Sequence, residues 1–196
     1  ALARGYAARG AAVGLFARRA VELDALRATL PAGRAVAYVG DVRDAPTLAH
    51  AAADFIARFG PPDVVIANAG ISRGVLTGEG NDLPAFRAVF DTNVIGLVHT
   101  FAPFLAAMNG AGRGALVGIA SVAGFRGMPG STAYSASKAA AISYLEGLRI
   151  ELRGSGVKVL QVTTGDLAAN LKLMDDIAAA TGTAEAGRAL KAKVQA

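Results

Sequence analysis

Tyr134 and Lys138 lie four residues apart in the segment STAYSASK, among small side chains at the start of a long helical pattern. Residues at positions i and i+4 share one face of a helix, so the lysine ammonium can approach the tyrosine phenol. A nearby cation stabilises a phenolate, and such a tyrosine can donate or accept a proton at a carbonyl or hydroxyl oxygen near neutral pH. The spacing alone is weak evidence, because a surface tyrosine and a solvated lysine also occur at it by chance.

Further polar or small residues follow the apolar runs of the chain, where strands are expected to end. Ser121 closes the run GALVGIAS thirteen residues before Tyr134, so its hydroxyl can hydrogen-bond the same substrate oxygen. In a doubly wound parallel sheet, ligands bind at the carboxyl ends of the strands. The residues at these predicted ends are Arg18, Arg19, Asp41, Val42, Asn68, Ala69, Gly70, Ser121, Thr163, Thr164 and Gly165. Structural alternatives stay open, because Ser121 could cap a loop and residues 68–70 could form only a tight turn.

Five apolar runs have the length of strands and alternate with helical patterns along the chain. They span residues 11–17, 34–41, 62–70, 114–121 and 157–164. Continuous runs of Val, Ile, Leu and Ala are typical of parallel strands that are buried on both faces. Their alternation with helices predicts a doubly wound α/β fold of Rossmann type, with a mostly parallel sheet and helices on both faces. We expect a single domain over residues 1–196.

Two helical segments have special features. The segment 82–108 is predicted as one long helix, which Pro103 would bend. Asn93 lies inside that helix, where its side chain can hydrogen-bond to local backbone and loosen the turn. The opening segment 1–10 is typical of the back half of a helix that Gly10 ends. We therefore expect the natural chain to begin further upstream.

Composition argues against several classes of function. The 196 residues are 53% hydrophobic and 18% charged, which is typical of a globular chain. The absence of Cys removes disulfides and thiolate chemistry and is compatible with a reducing cytoplasm. The net charge of +5 comes from dispersed residues without a basic block, so no nucleic-acid partner is expected. We also predict no membrane span, since no apolar run approaches ~18 residues. We predict no metal, since His50 and His99 lack partners at metal-ligand spacing.

Five motifs resemble, in order and spacing, those of the classical short-chain dehydrogenase/reductase family, over about residues 1–163. They are Asp41-Val42 after a strand, NAG at 68–70, DTNVIG around Asn93, GIASVAG carrying Ser121, and YSASK with Tyr134 and Lys138. The resemblance implies that hydride passes between nicotinamide C4 and the substrate carbon while Tyr134 handles the proton. It also implies that Tyr134 and Lys138 contact the cofactor, with Lys138 on the nicotinamide ribose. Ser121 would contact the carbonyl oxygen, Asn93 would position a water in a proton relay, and the small NAG residues would let backbone approach a ribose.

The residues after the run VGLFA bear on the choice of cofactor. Arg18 and Arg19 follow that run, with no carboxylate before Glu22. An acidic residue at this position binds the ribose 2′-hydroxyl of NAD, whereas an arginine accommodates the 2′-phosphate of NADP. In the family, a small residue followed by Arg usually accompanies NADP preference, so NADP(H) is favoured over NAD(H). Arg18 would bind the phosphate, with Arg19 assisting or simply solvated, and the adenine ring would meet Asp41 with Val42 packed beside it.

The chain departs from the family pattern at two places. The first strand and the glycine-rich pyrophosphate loop are absent, and the family's topology puts that strand between the runs VGLFA and VVIAN. A missing central strand would leave unpaired backbone groups inside the core, which is a second reason to expect residues upstream. After Thr164, the usual Pro-Gly and a later Thr are also missing. Residues 166–196 are predicted as Ala-rich helix that forms part of the substrate pocket.

The predicted function is that of a cytoplasmic NADP(H)-dependent oxidoreductase of the carbonyl reductase or alcohol dehydrogenase type, which interconverts a ketone or aldehyde and an alcohol. By family analogy we expect a homodimer or homotetramer paired through the long helices. Phe125, Met128 and Pro129 near Tyr134 favour a hydrophobic substrate, although they could equally be core or oligomer contacts. Two alternatives stay open: a nicotinamide-dependent epimerase or dehydratase on the same scaffold, and a regulatory protein that senses NADP(H) without turnover.

Overall fold

The computed structural model describes residues 2–78 and 82–164, in which helices and strands alternate. The strands are β1 (Val13–Ala17), β2 (Ala35–Val39), β3 (Val64–Ala67), β4 (Gly114–Ser121) and β5 (Val157–Thr164). The α-helices are α1 (Leu2–Ala7), α2 (Ala20–Ala28), α3 (Ala45–Phe59), α4 (Leu83–Phe90), α5 (Gly96–Ala111) and α6 (Thr132–Glu151). β4 and β5 coincide with their predicted runs, whereas β1 to β3 are shorter than predicted. Gly165 and the predicted pocket segment 166–196 lie outside the described residues.

The strands pair in parallel, as predicted for a Rossmann-type sheet. β1 pairs with β2, with Val13 opposite Ala35, and β4 lies between β3 and β5. Within the two described ranges, β1 and β3 do not pair with each other, so the strands form a two-stranded and a three-stranded sheet. The further strand that the sequence analysis expected between β1 and β3 stays a prediction.

Helices cover both faces of the strands. On one face, α5 and α6 pack against the three-stranded sheet through the fully buried side chains of Phe101, Met108 and Leu145. On the other face, Tyr6 of α1 packs against the same sheet, and Leu23 of α2 packs in the cluster around β1. Burying side chains of this size contributes about 1.5–3 kcal/mol each. The carboxyl ends of the strands are thereby held between two helical layers.

α4 and α5 form one helical run, Leu83–Ala111, which a π-helical turn at Asp91–Ile95 interrupts. The departure from α-helical geometry thus lies around Asn93, whereas Pro103, predicted to bend the helix, lies within α5. Such single π turns are frequent at functional sites.

The same run is, among the described residues, the one helix long and apolar enough to cross a membrane by length and composition, with a mean hydropathy of 1.4. The core helix of a globular protein can meet the same criteria. In this fold Phe101 and Met108 of the run are fully buried against the sheet, so these apolar side chains have partners within the protein.

Candidate active site

Ser121 is the last residue of β4, and a 3-10 turn at Val122–Gly124 follows it. Its side chain is almost fully buried, and its Oγ accepts a hydrogen bond of 3.2 Å from the Ala123 N–H. The turn packs closely on α6, because a Cβ on Gly124 would lie 2.9 Å from the carbonyl carbon of Lys138. Glycine at this position therefore lets the end of β4 approach the helix that carries Tyr134 and Lys138.

Lys138 and Tyr134 lie in the first two turns of α6, as their spacing predicts. The Lys138 Nζ lies 5.7 Å from the centroid of the Tyr134 ring and donates a 2.7 Å hydrogen bond to the carbonyl of Ile119 in β4. Lys138 is almost fully buried, and this burial lowers the pKa of its ammonium below the usual value for lysine. A cation at this distance is attracted to an aromatic face, and the attraction grows as water is removed. The lysine thus joins the tyrosine to the strand that ends in Ser121.

Asn93 is buried in the π-helical turn, but its partners are not those that the sequence suggested. Its Oδ1 accepts a 2.8 Å hydrogen bond from the Ile71 N–H, and its Nδ2 donates to the Ile71 carbonyl at 2.9 Å. The predicted bond to local helix backbone is therefore wrong in its partner, because the Asn93 amide pairs with backbone 22 residues away. The side chain fixes the segment after β3 to the helix.

Ser137 is a site residue that the sequence analysis missed. Its fully buried Oγ accepts a 3.0 Å bond from Asn93 Nδ2 and donates a 2.7 Å bond to the Tyr134 carbonyl. Ile71, Asn93, Ser137 and the first turn of α6 are therefore connected by hydrogen bonds. The available signal was a serine one residue before Lys138 in an Ala-rich helix, but nothing in the sequence indicated its burial or its partner.

Gly70 is the point at which several of these groups meet. A Cβ at this position would lie 3.4 Å from Asn93 Oδ1 and 3.6 Å from Lys138 Nζ. Gly70 itself is exposed, as are Asn68 and Ala69 before it. Because Gly70 has no side chain, it separates these two polar atoms from the cavity described next by backbone alone.

One cavity of about 340 Å³ lies at the carboxyl ends of β1, β2 and β3. Its lining includes all the strand-end residues for which we predicted cofactor contacts: Arg18, Arg19, Asp41, Val42, Asn68, Ala69 and Gly70. Ile71, which Asn93 holds, also lines it, so the cavity adjoins the catalytic candidates. Val42 is fixed against α5, since a Cβ on Gly96 would lie 2.7 Å from its Cγ2.

The charged residues of this cavity form ion pairs that the sequence did not specify. Arg18 Nη1 lies 3.8 Å from Asp41 Oδ2, and Arg19 pairs with Glu22 at 2.9 Å. Asp41 is bound more closely by Arg43, whose Nη2 and Nε donate to its two carboxylate oxygens at 2.7 and 3.0 Å. Hydrogen bonds from the Arg43 guanidinium are the main cause that lowers the pKa of Asp41 to about 2.

The polar groups of the cavity fit a dinucleotide. Exposed guanidinium groups at Arg18 and Arg19 suit a phosphate, and the carboxylate of Asp41 can accept from an exocyclic amine. The glycine at position 70 permits close approach of a ribose to Lys138. Together with Tyr134 beside Lys138, these groups are compatible with a nicotinamide cofactor.

Curated relatives and solved structures resemble the chain over most of its length. An "uncharacterized oxidoreductase" of Myxococcus xanthus (strain DK1622) is 40% identical over 166 residues, which is 84% of this chain and 65% of the relative. The 2-dehydro-3-deoxy-L-rhamnonate dehydrogenase (NAD(+)) of Sphingomonas sp. (strain SKA58) is 37% identical over 150 residues, 76% of this chain and 59% of the relative. The chain therefore spans less than two thirds of the length of either.

A crystal structure of a metagenomic short-chain oxidoreductase in complex with NADP matches with a TM-score of 0.81 and 27% identity. The match covers 92% of this chain and 84% of the other. The sequence model of the family described as short chain dehydrogenase matches residues 1–175. With the Rossmann-type strands and the Tyr134–Lys138 pair on α6, this match shows that the chain belongs to the short-chain dehydrogenase family.

Proposed function

We propose that the protein is an NADP(H)-dependent oxidoreductase that interconverts a ketone or aldehyde and the corresponding alcohol. The observation that carries the proposal is the buried Lys138 ammonium 5.7 Å from the centre of the Tyr134 ring, on the helix against which the end of β4 packs. A cation held in that place stabilises the phenolate that forms when a tyrosine gives up its proton. The family supports the coarse activity, because its named relatives are oxidoreductases and dehydrogenases.

The proton-transfer roles follow from the hydrogen bonds of each residue. The cofactor, when bound, would supply or accept a hydride at the substrate carbon. Tyr134 would donate a proton to the substrate oxygen in reduction and accept it in oxidation. The Ser121 Oγ already accepts from the Ala123 N–H, so its hydroxyl proton is free to bond the same oxygen. Both residues would then stabilise the negative charge that develops on that oxygen.

Asn93 fits the relay role that the family resemblance implies. Both amide protons of its Nδ2 are used, on the Ile71 carbonyl and on Ser137 Oγ. Its Oδ1 accepts one bond, from the Ile71 N–H, which leaves one lone pair for a water. Because Oδ1 and the Lys138 Nζ both face Gly70, such a water would lie beside the lysine.

The two arginines that follow β1 support NADP(H) over NAD(H). Arg18 is largely exposed and lies 3.8 Å from its nearest carboxylate oxygen, so its guanidinium can turn to a 2′-phosphate. Arg19 is engaged with Glu22 at 2.9 Å and would assist. The metagenomic neighbour is in complex with NADP, whereas the Sphingomonas relative is named as NAD(+)-dependent. The cofactor preference of this chain therefore depends on its own residues.

Three features complete the proposal. Phe125 and Met128, which follow β4, are large apolar residues that are exposed and so not part of the core, which leaves a hydrophobic substrate or an oligomer contact as their partner. The protein would act in the cytoplasm as a homodimer or homotetramer, by analogy with the family. Residues 1–196 would form a single dinucleotide-binding domain, in which 166–196 contribute to the substrate pocket.

The test uses the full-length gene product. Purified protein should oxidise NADPH in the presence of at least one member of a panel of aliphatic, aromatic and cyclic ketones and aldehydes. Tyr134→Phe should still bind NADPH, because the ring is kept, and should oxidise it about 10²–10⁴-fold more slowly. Turnover of a substrate without added NADPH and without net oxidation would favour an epimerase or dehydratase. Tight NADPH binding without turnover of any carbonyl would favour a sensor.

A further inference from the structure

Arg43 holds the carboxylate of Asp41 through three donors. Its Nη2 and Nε donate to the two oxygens at 2.7 and 3.0 Å, and its backbone N–H donates to Oδ1 at 3.0 Å. Bidentate guanidinium–carboxylate pairs are among the strongest side-chain pairs and fix the carboxylate in orientation. Arg43 is therefore the main partner of the Asp41 carboxylate, although Arg18 Nη1 also lies 3.8 Å from Asp41 Oδ2.

Asp41 stands between two surfaces of the protein. On one side it lines the cavity that also contains Arg18 and Arg19. On the other side it lines a shallow depression with Arg43, Asp44 and Asp91. Arg43 is not among the residues that line the first cavity, whereas Asp41, which it holds, lines both surfaces.

A carboxylate beside Arg18 opposes the binding of a 2′-phosphate in two ways. It competes for the Arg18 guanidinium, and it repels the phosphate directly. The paired guanidinium of Arg43 offsets both effects, since it satisfies the carboxylate oxygens and neutralises their charge. With Arg43, the group formed by Arg18, Arg19, Glu22, Asp41 and Arg43 has one net positive charge, and without it the group has none.

We propose that Arg43 is a positioning residue for cofactor specificity, which holds and neutralises Asp41 so that Arg18 remains available to the 2′-phosphate of NADP(H). The inference rests on the proposed function, and it names a residue outside the nucleotide cavity as a determinant of the NADP(H) preference. It distinguishes phosphorylated from unphosphorylated cofactor, because NAD(H) presents no charge to Arg18. Arg43 acts through Asp41 and does not touch the phosphate.

The experiment measures dissociation constants of NADPH and NADH for the full-length protein by calorimetry or fluorescence titration. Arg43→Gln should weaken NADPH binding roughly three- to tenfold and change NADH binding much less, as expected for one charge removed near a solvated site. Arg43→Lys keeps the positive charge but loses the two parallel guanidinium donors, so its NADPH affinity should lie between those of the wild type and Arg43→Gln. Arg58→Gln is the matched control: it also removes an arginine from a 2.7 Å carboxylate pair, but at the far end of α3.

The second arm repeats Arg43→Gln in an Asp41→Asn background. There the loss of Arg43 should change the ratio of the two dissociation constants much less than it does with Asp41 present, because no carboxylate remains to be held away from Arg18. An undiminished loss of NADPH affinity in that background would overturn the proposal, since Arg43 would then act on the phosphate itself. Equal weakening of NADPH and NADH would overturn it too, as a general structural effect. If the wild-type protein binds neither nucleotide, the proposed function itself fails; if it prefers NADPH and Arg43→Gln leaves the preference intact, only this inference fails.

Discussion

Two clusters at the same edge of the strands are built in opposite ways. The proposed proton-transfer cluster consists of Asn93, Ser121, Tyr134 and Lys138. Asn93, Ser121 and Lys138 are only 2%, 7% and 5% exposed, and each side chain makes a hydrogen bond to backbone. The proposed nucleotide cluster consists of Arg18, Arg19, Asp41 and Arg43. In that cluster the side chains of Arg18 and Arg19 are 67% and 77% exposed, and the partners are charged side chains.

This difference in burial explains how proteins of one fold can keep the same proton-transfer residues while the residues that select NAD(H) or NADP(H) vary. A buried polar group must be hydrogen-bonded, so its bonds fix the position of the side chain. Removing such a side chain leaves its buried partners unpaired and lowers the free energy of unfolding. An exposed ion pair is worth about 0–1 kcal/mol and is screened by salt, so it can be exchanged at little cost in stability. We expect substitutions in the first cluster to abolish function or stability, and those in the second to adjust affinity.

The largest effect is expected from Tyr134→Phe. The general acid/base is lost while the ring remains over Lys138, so kcat should fall by about 10²–10⁴-fold in steady-state assays. The melting temperature should change little, because the Tyr134 hydroxyl makes no hydrogen bond to another residue of the described ranges. Tyr144→Phe on the same helix is the control and should keep kcat near that of the wild type. A Tyr134→Phe variant with near-normal kcat would remove the catalytic role of the cluster.

Asn93→Ala should produce the next largest effect, on stability. The substitution leaves the part-buried Ile71 N–H and carbonyl and the buried Ser137 hydroxyl without the Asn93 amide, which should lower the free energy of unfolding by about 2–3 kcal/mol. Urea denaturation monitored by circular dichroism measures the difference.

The matched control for that substitution is Asn109→Ala. Asn109 is exposed near the end of α5, so its removal should change the free energy of unfolding by no more than about 0.5 kcal/mol. Equal destabilisation by both substitutions would show that the Asn93 amide contributes no more than an exposed asparagine.

Added salt should weaken nucleotide binding at the exposed cluster and leave the turnover that depends on the buried cluster nearly unchanged. Raising the ionic strength from about 0.1 M to about 1 M shortens the screening length from about 10 Å to about 3 Å. The dissociation constant of NADPH should therefore rise several-fold more than that of NADH, and Arg18→Gln should remove the difference. At saturating cofactor and substrate kcat should hardly change, because Lys138 is buried. Equal salt sensitivity for both nucleotides would contradict a phosphate contact at Arg18.

The smallest effect concerns pH and Asp41. Its pKa is about 2 in the folded protein, below the 3.8 of an unperturbed aspartate, so its pairing stabilises the fold fully above pH 3.8. This contribution should be lost as the pH falls towards 2, because protonation then breaks the pair with Arg43. The stability difference between wild type and Asp41→Asn should accordingly shrink between about pH 4 and pH 2 in acid unfolding experiments. A difference that stays constant over this range would show that Arg43 does not stabilise the carboxylate.

The sequence by itself determined the periodic and local features of this protein. The apolar runs predicted β4 and β5 with their exact bounds, and the i,i+4 spacing placed Tyr134 and Lys138 on one helix face. The predicted ends of the first three strands also line the cavity, whereas Ser121, at the end of β4, does not. These features follow from backbone geometry, which repeats every 2 residues in a strand and every 3.6 in a helix, so they can be read along the chain.

Only the tertiary structure decided which partners the polar side chains take. Asn93 bonds to Ile71 and Ser137, and Arg43 takes the Asp41 carboxylate in preference to Arg18. Hydrogen bonds and ion pairs between distant segments depend on how strands and helices are brought together, and no local period encodes that. A buried polar group must be hydrogen-bonded, and its partner is the group that packing places within about 3 Å. Packing depends on the whole fold, so the sequence of one segment does not specify that partner.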